Sequence, residues 1–389
     1  MICRIFIFVA TIALLFSCKT KPIGNIDPQE AIVISDMTKD KMTHCSIFKV
    51  IGDTVYFAYY HDTLQVDERA EITSIVPILA KAKFPLDGNI ERIEAIRYGQ
   101  TYGDFTQDTT RAPYDPNILK IGNKLMYYFN GCVNDTVCYC VRPYDLETAA
   151  FENNARKCTV TYNGETMPMD SYSLFYIMKQ MGHEDLKFHN DVVMSHRFIE
   201  HDGAYYNVMA NGFSLRSIPI LLKTLDGISY DVVFAFNENP GGTCEAAVEI
   251  FKDEVYLLTR DQFENKRKNG IYLSKYSLRD GSCLVAPKHL TRRTSKPALI
   301  RRGKNIYALY NAIPDIERNG QKVKRSRLRM ARIDKDCRIV DSLDVTGNYG
   351  IHYPYTDYIG DEIYMTFTED RREISPATRA NISMIKLEF

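Results

Sequence analysis

The sequence predicts an all-β chain folded as a six-bladed β-propeller, with five or seven blades as the alternatives. Three observations carry the prediction. A unit of apolar strand, Gly or Asp turn and tyrosine-centred strand recurs six times, at Ser46–Tyr56, Asn117–Tyr127, Met194–Tyr205, Val248–Tyr256, Ala298–Tyr307 and Thr356–Tyr364. The copies follow one another every roughly 50 to 80 residues, against the roughly 40 to 50 of one four-stranded blade, which leaves room for surface loops. The alternating segment Ala31–Ser35 is placed to supply the outer strand of the last blade, closing the ring and removing its open edges.

Ahead of the repeats the chain carries one early base, Arg4, an apolar run from Ile5 to Phe16, then Ser17 and Cys18. The run is short for a bilayer-spanning helix and has the layout of a secretory signal. Leu15-Phe16-Ser17-Cys18 resembles a bacterial lipobox, which implies cleavage before Cys18 and its lipidation. The expected organisation is a lipoprotein signal peptide over 1–17, a tether over 18–29 and a single propeller domain over 30–389. That describes an exported lipoprotein of the periplasm or outer membrane, held to the membrane by an N-terminal lipid.

Eight cysteines follow the leader: Cys45, Cys132, Cys138, Cys140, Cys158, Cys244, Cys283 and Cys337. They are scattered, and Cys138-Tyr139-Cys140 lacks the spacing of a zinc pair, so some disulfides are expected rather than a metal site. No phosphate loop or dinucleotide fingerprint occurs, and no cofactor is expected. The 49 basic and 49 acidic residues balance and are interspersed. This argues against a nucleic-acid partner bound through a general positive field, and a monomer is expected.

The widest spacing, between the second and third repeats, implies an insertion over about 151–190. Within it Asp170 is a helix N-cap, Leu174, Ile177, Met178 and Met181 share one face, and Gly182 is the stop. A small helix packed on one rim is the expectation.

In a propeller the first strand of each blade lines the axis, so the residues that open those strands face a shared funnel mouth. Counting back from each repeat tyrosine selects His44, Asp115, Asp191, Glu245, Lys296 and Tyr353. Any one of these polar residues would be ordinary at a strand start. Together they offer paired carboxylates with bases nearby to separate their pKa values, the requirement of acid–base work on a sugar.

Two stretches resemble the sialidase superfamily of BNR-type propellers. Cys244-Glu245-Ala246-Ala247, followed by Leu258-Thr259-Arg260, is similar to the family's stretch in which a glutamate precedes a carboxylate-binding arginine. His352-Tyr353-Pro354-Tyr355 is similar to the segment bearing its nucleophilic tyrosine. The resemblance implies that Glu245 polarises Tyr353 and that Arg260 grips a substrate carboxylate; from the ring at the funnel mouth, Asp115 and His44 are expected as further catalytic groups and Asp191 and Lys296 on the substrate. His44 and Lys296 stand where the family has arginines, and only Ser277-Leu278-Arg279-Asp280-Gly281 looks like a degenerate Asp-box.

A weaker similarity, to propeller polysaccharide lyases and rhamnosidase-like relatives, rests on His44 and His61 with Tyr102 and Arg111; it implies proton abstraction next to a uronate carboxylate. A third takes Asp115, Asp191 and Glu245 as the acid triad of five-bladed furanosidase-type hydrolases. The favoured expectation is a glycoside hydrolase, or a polysaccharide lyase, cleaving at or next to an acidic sugar of an extracellular oligosaccharide or polysaccharide. The alternative of another class is a non-catalytic glycan-binding or assembly lipoprotein.

Overall fold

A computed structural model describes residues 30–36, 38–64, 74–108, 113–211, 217–262, 266–318, 320–347, 349–371 and 380–388. The fold is all-β and propeller-like, built from antiparallel meanders. Each repeat unit opens a meander through a two-residue turn whose first residue is left-handed: Gly52, Gly122, Asp202, Lys252, Gly303 and Gly360. Positive φ at that position matches the right-handed twist of the flanking strands, which is why these turns make tight hairpins.

Five larger sheets result. The first has eight strands and joins the two ends of the chain. One half runs Met42–Ile51, Thr54–Asp62, Val76–Lys83, Glu91–Glu94; the other runs Gly350–Ile359, Glu362–Asp370, Ala380–Leu387, with Ile32–Val33 on its outer side. A single parallel bridge, Met42 to Ala380, joins the halves. Ile32 and Val33 pair antiparallel with Met384 and Ser383, so the expected N-terminal strand is present. Ile34 N donates to Ile382 O at 2.8 Å and Ile382 N to Ser35 Oγ at 3.2 Å, which extends the seam.

The second sheet opens with Tyr114–Ile121, Lys124–Val133 and Thr136–Asp145; the third holds Ile199–His201, Ala204–Met209, Ile220–Thr224 and Ser229–Ala235. The fourth comprises Thr243–Phe251, Glu254–Asp261, Gly270–Ser277 and Cys283–Thr291, and the fifth Ala298–Arg302, Asn305–Asn311, Arg327–Ile333 and Ile339–Thr346.

The expected insertion is part sheet and part helix. Phe151 pairs with Tyr144 and Lys157 with Cys140, so its first residues form the outer edge of the second sheet. A hairpin, Thr159–Tyr162 with Glu165–Pro168, then adds to the third sheet by parallel pairing with Ser229–Ala235. The helix spans Ser171–Gln180, capped by Asp170, which accepts from Ser173 N at 2.9 Å, and followed by Gly182 at φ 90°. It buries Leu174, Ile177 and Met178 against Tyr139, Val160 and Met169. No helix among the described residues is long and apolar enough to cross a membrane.

Buried polar groups tie different meanders together. Asn117 Nδ2 donates to His196 O at 2.7 Å, Leu299 N to His196 Nε2 at 3.4 Å, and Asn311 Nδ2 to Ile351 O at 2.7 Å. Charges pair between meanders as well: Arg197 with Glu249, both buried, Arg301 Nε 3.9 Å from Glu249 Oε1, and Lys49 with the buried Asp357 at 3.1 Å. Such charges are kept only because they are paired.

All eight cysteines after the leader are thiols in this structure, so none of the expected disulfides is formed. Cys18 and the signal and tether residues up to 29 lie outside the described residues.

Candidate active site

The mouth is shaped by bulges at the starts of first strands. Register shifts fall between His44 and Ile47, Tyr114 and Asn117, Thr243 and Glu245, and His352 and Tyr355. At three of them the extra residue is a non-glycine in the left-handed region: Cys45 at φ 55°, Asp115 at φ 49° and Tyr353 at φ 57°. A bulge re-aims a side chain, and left-handed backbone costs of order 1–3 kcal/mol for an L-residue, so three such residues at the openings of first strands single out this end as the candidate site.

The bulges bring Glu245, Arg260 and Tyr353 together. Glu245 and Arg260 face one another across adjacent strands of the fourth sheet. Arg260 Nη1 donates to Glu245 Oε2 at 2.5 Å and to Tyr353 OH, on the first sheet, at 3.0 Å. Arg260 and Glu245 are buried, 5% and 6% exposed, and Tyr353 is partly buried. The arginine therefore stands between the carboxylate and the phenol, where a direct Glu245–Tyr353 contact was expected. Burial pushes the Tyr353 hydroxyl well above the usual tyrosine range, the Glu245 charge adds to this, and Arg260 opposes it. The phenol is neutral in this form, and its ionisation relies on the guanidinium.

An aromatic box surrounds it. The His44 ring lies 4.1 Å from the Tyr353 ring, and His352 lies 5.3 Å from both. His44 also packs edge-on to Tyr60, which meets Tyr114 at 5.6 Å. His44 Nδ1 is 2.9 Å from Thr368 Oγ1, and His352 Nε2 is 3.3 Å from Asp370 Oδ2. The Arg325 guanidinium sits 5.9 Å from the centre of the Tyr353 ring, a cation–π distance.

The remaining expected residues are dispersed. Asp115 occupies its own bulge, where Oδ2 accepts from Asn130 Nδ2 at 3.1 Å. Asp191 is buried, with Oδ1 accepting from Val192 N at 3.0 Å, and Lys296 is buried close enough to His196 to help keep that ring neutral. His61 is turned to Asp40, with Nδ1 2.7 Å from Oδ1.

Tyr102 is a core residue rather than a mouth residue. Its ring lies beneath Arg142 at 4.4 Å, and its hydroxyl joins Arg97 N to Gln100 Oε1. The cause is local: Thr101–Tyr102 forms a small hairpin with Phe105–Thr106 that folds inward over the second sheet. Arg111 lies outside the described residues. Sequence reading missed Arg325, Tyr60 and Asp370, and it did not anticipate the bulge at Cys45, one residue past His44. Tyr60 and Asp370 lie on second strands, and a count back from the repeat tyrosines does not sample them.

No family model matches the chain, and no curated protein matches it. Solved structures do. Trypanosoma rangeli sialidase in complex with sialic acid superposes at a TM-score of 0.58 with 9% identity, covering 93% of this chain and 57% of that one. The same sialidase in complex with 2,3-difluoro-KDN gives 0.59, again at 9% identity, covering 91% and 58%. A thermostable family-43 glycoside hydrolase matches at 0.42 with 12% identity, over 71% of this chain and 90% of its own. This chain spans somewhat over half the length of the sialidase chains it matches. The fold is thus that of the sialidase-like propellers.

Proposed function

We propose that this chain is a six-bladed, carbohydrate-active propeller enzyme that cleaves a glycosidic bond at or next to an acidic sugar. What supports six blades is a count that takes the two halves of the eight-stranded sheet separately, divided at the lone Met42–Ala380 bridge, together with the four other large sheets. The observation that carries the activity is the bridge from Arg260 Nη1 to Glu245 Oε2 and Tyr353 OH, which joins two sheets at the bulged end of the axis. In the reaction, Arg260 and Arg325 meet the negative charge of an incoming uronate or sialate, and Tyr353 is the group presented to the sugar. An anion that draws Arg260 toward itself loosens the guanidinium from Glu245, and the carboxylate is then able to accept the phenolic proton. Asp115, bulged on the second sheet, and His44, whose ring lies tilted against that of Tyr353, are the acid–base candidates.

The sialidase complexed with sialic acid supports an acidic sugar as the ligand class. We place the protein outside the cytoplasm, lipidated on Cys18, in the periplasm or on the outer membrane, and acting as a monomer. The test is a product-release screen of the purified chain against sialylated, glucuronate-capped and rhamnose-capped oligosaccharides. The proposal expects product from one class and its loss in both Glu245→Gln and Tyr353→Phe. Binding without product in the parent chain would replace it with the reading of a non-catalytic glycan-binding lipoprotein, which the neutral phenol favours.

A further inference from the structure

Cys138 and Cys140 lie two residues apart in the strand Thr136–Asp145, with Sγ atoms 3.3 Å apart and both side chains fully buried. Residues i and i+2 of a strand share a face, and a rise of about 3.3 Å per residue sets their Cα atoms about 6.6 Å apart, inside the roughly 4.4–6.8 Å that a disulfide spans. We propose that Cys138 and Cys140 form a reversible dithiol–disulfide couple that sets how the helical insertion docks on the second sheet.

Three features of the surroundings support the pair. Gly131 faces Cys138 on the neighbouring strand, and a Cβ there would lie 2.9 Å from Cys140 Sγ and 2.9 Å from the Phe105 ring; glycine leaves the sulfur room to turn. Phe105, which packs at that point, lines a cavity of about 450 Å³, and so does Lys157, the residue paired with Cys140 on the adjoining strand. Burial pushes the Cys140 thiol well above its usual range, with Cys138 adding to the effect. Thiolate is scarce there in the folded protein, so exchange is slow once the strand is covered and fastest while the insertion is undocked.

The chemistry is a two-electron oxidation by a disulfide, such as oxidised glutathione. One cysteine thiolate attacks the oxidant and releases one of its sulfurs as a thiol. The second cysteine then displaces the other sulfur from the mixed disulfide. Two S–H bonds are lost, one S–S bond forms, and the oxidant leaves as two thiols carrying both protons and both electrons.

Closure acts on Tyr139, the residue between them. Tyr139 N donates to Met169 O at 2.8 Å and Tyr139 O accepts from Cys158 N at 2.9 Å, while Cys138 is bridged to the helix cap Asp170 and Cys140 is paired with Lys157. Drawing the two Cα atoms from about 6.6 Å toward the usual 5.5–6 Å buckles the strand at the residue whose backbone holds the insertion. A disulfide at the long end of its range is strained and easily reduced, which makes the couple reversible.

The test folds the full chain in glutathione buffers of stepped ratio, quenches with acid, alkylates in denaturant and maps the peptides by mass spectrometry. The expected result is that Cys138 and Cys140 together escape alkylation in the oxidising buffers and regain it after a dithiol reductant. Cys158→Ser, which keeps the pair, is expected to behave identically. Hydrogen exchange at the Tyr139 and Cys158 amides is expected to quicken at least tenfold on oxidation. Full alkylation of both cysteines in the most oxidising buffer, a bond from either of them to Cys158, or unchanged exchange at both amides would each overturn the proposal.

Discussion

Replacing Arg197 with Met measures how strongly the charges at the axis hold neighbouring meanders together. Arg197 Nη2 donates to Glu249 Oε2, and the two side chains are 8% and 3% exposed. Arg301 reaches Glu249 only at 3.9 Å and is itself 39% exposed, so it compensates a minor part of the charge. Burial pushes the Glu249 carboxyl up, and Arg197 draws it back.

Removing the guanidinium leaves a buried carboxylate with weak compensation, a change that costs about 3–5 kcal/mol. Removing both charges, as in Arg197→Met with Glu249→Leu, keeps the volume and discards the need for pairing, so most of the loss is expected to return. Equilibrium urea unfolding at pH 8, followed by tyrosine emission and far-ultraviolet circular dichroism, suits a chain that has no tryptophan. In the single variant Glu249 takes up a proton more readily folded than unfolded, so its deficit should shrink as the pH is lowered to 5. A single variant that loses less than about 1 kcal/mol, or a double variant as unstable as the single, would refute the reasoning.

Three further outcomes follow from single sites. Burial raises the Asp261 carboxyl from 3.8 to about 7, so the folded state holds a proton that the unfolded state releases. Its stabilising share is complete below about pH 4 and lost as the pH rises through 7. Asp261→Asn should therefore flatten the dependence of Tm on pH between 4 and 7, and an unchanged slope would count against it. Gly227→Ala places a Cβ 2.5 Å from Tyr128 OH at φ 74°, which should cost roughly 1–3 kcal/mol in urea unfolding. Asp170→Ala removes the helix cap and should cost about 1 kcal/mol, with faster hydrogen exchange confined to the first turn around Ser173.

The sequence exposed what is periodic. The six hairpins were legible because each has a left-handed turn between apolar strands, and the helix because Asp170 and Gly182 bracket one apolar face. The N-terminal strand was legible because alternation survives in five residues. Glu245, Arg260 and Tyr353 were singled out through motif likeness, and the structure brings the three side chains into contact through Arg260. Other features depend on the third dimension. The bulge that puts Cys45 in the left-handed region beside His44 shifts the register by a single residue, which counting from a tyrosine cannot reveal. Tyr102 folds inward through a two-strand hairpin too short to carry a pattern. Arg325 reaches Tyr353 because its carbonyl is held by Ile351 N and Asn311 Nδ2, contacts made between distant stretches.

The seam between Ile32–Val33 and Ala380–Leu387 sets the timetable by which the molecule is completed. Ser35 and Ile382, which bond directly, are 347 positions apart, so this lock cannot engage until nearly the whole chain is available. Contacts of such separation pay their loop-closure entropy last, after each meander has gathered from its own local hairpins. The strands also run antiparallel and in register, Ile32 opposite Met384, so they make a hairpin that lacks only its turn. A short connector from the end of the last strand to the start of the first would supply it, and new termini opened in one of the surface turns would then let the ring seal early instead of late.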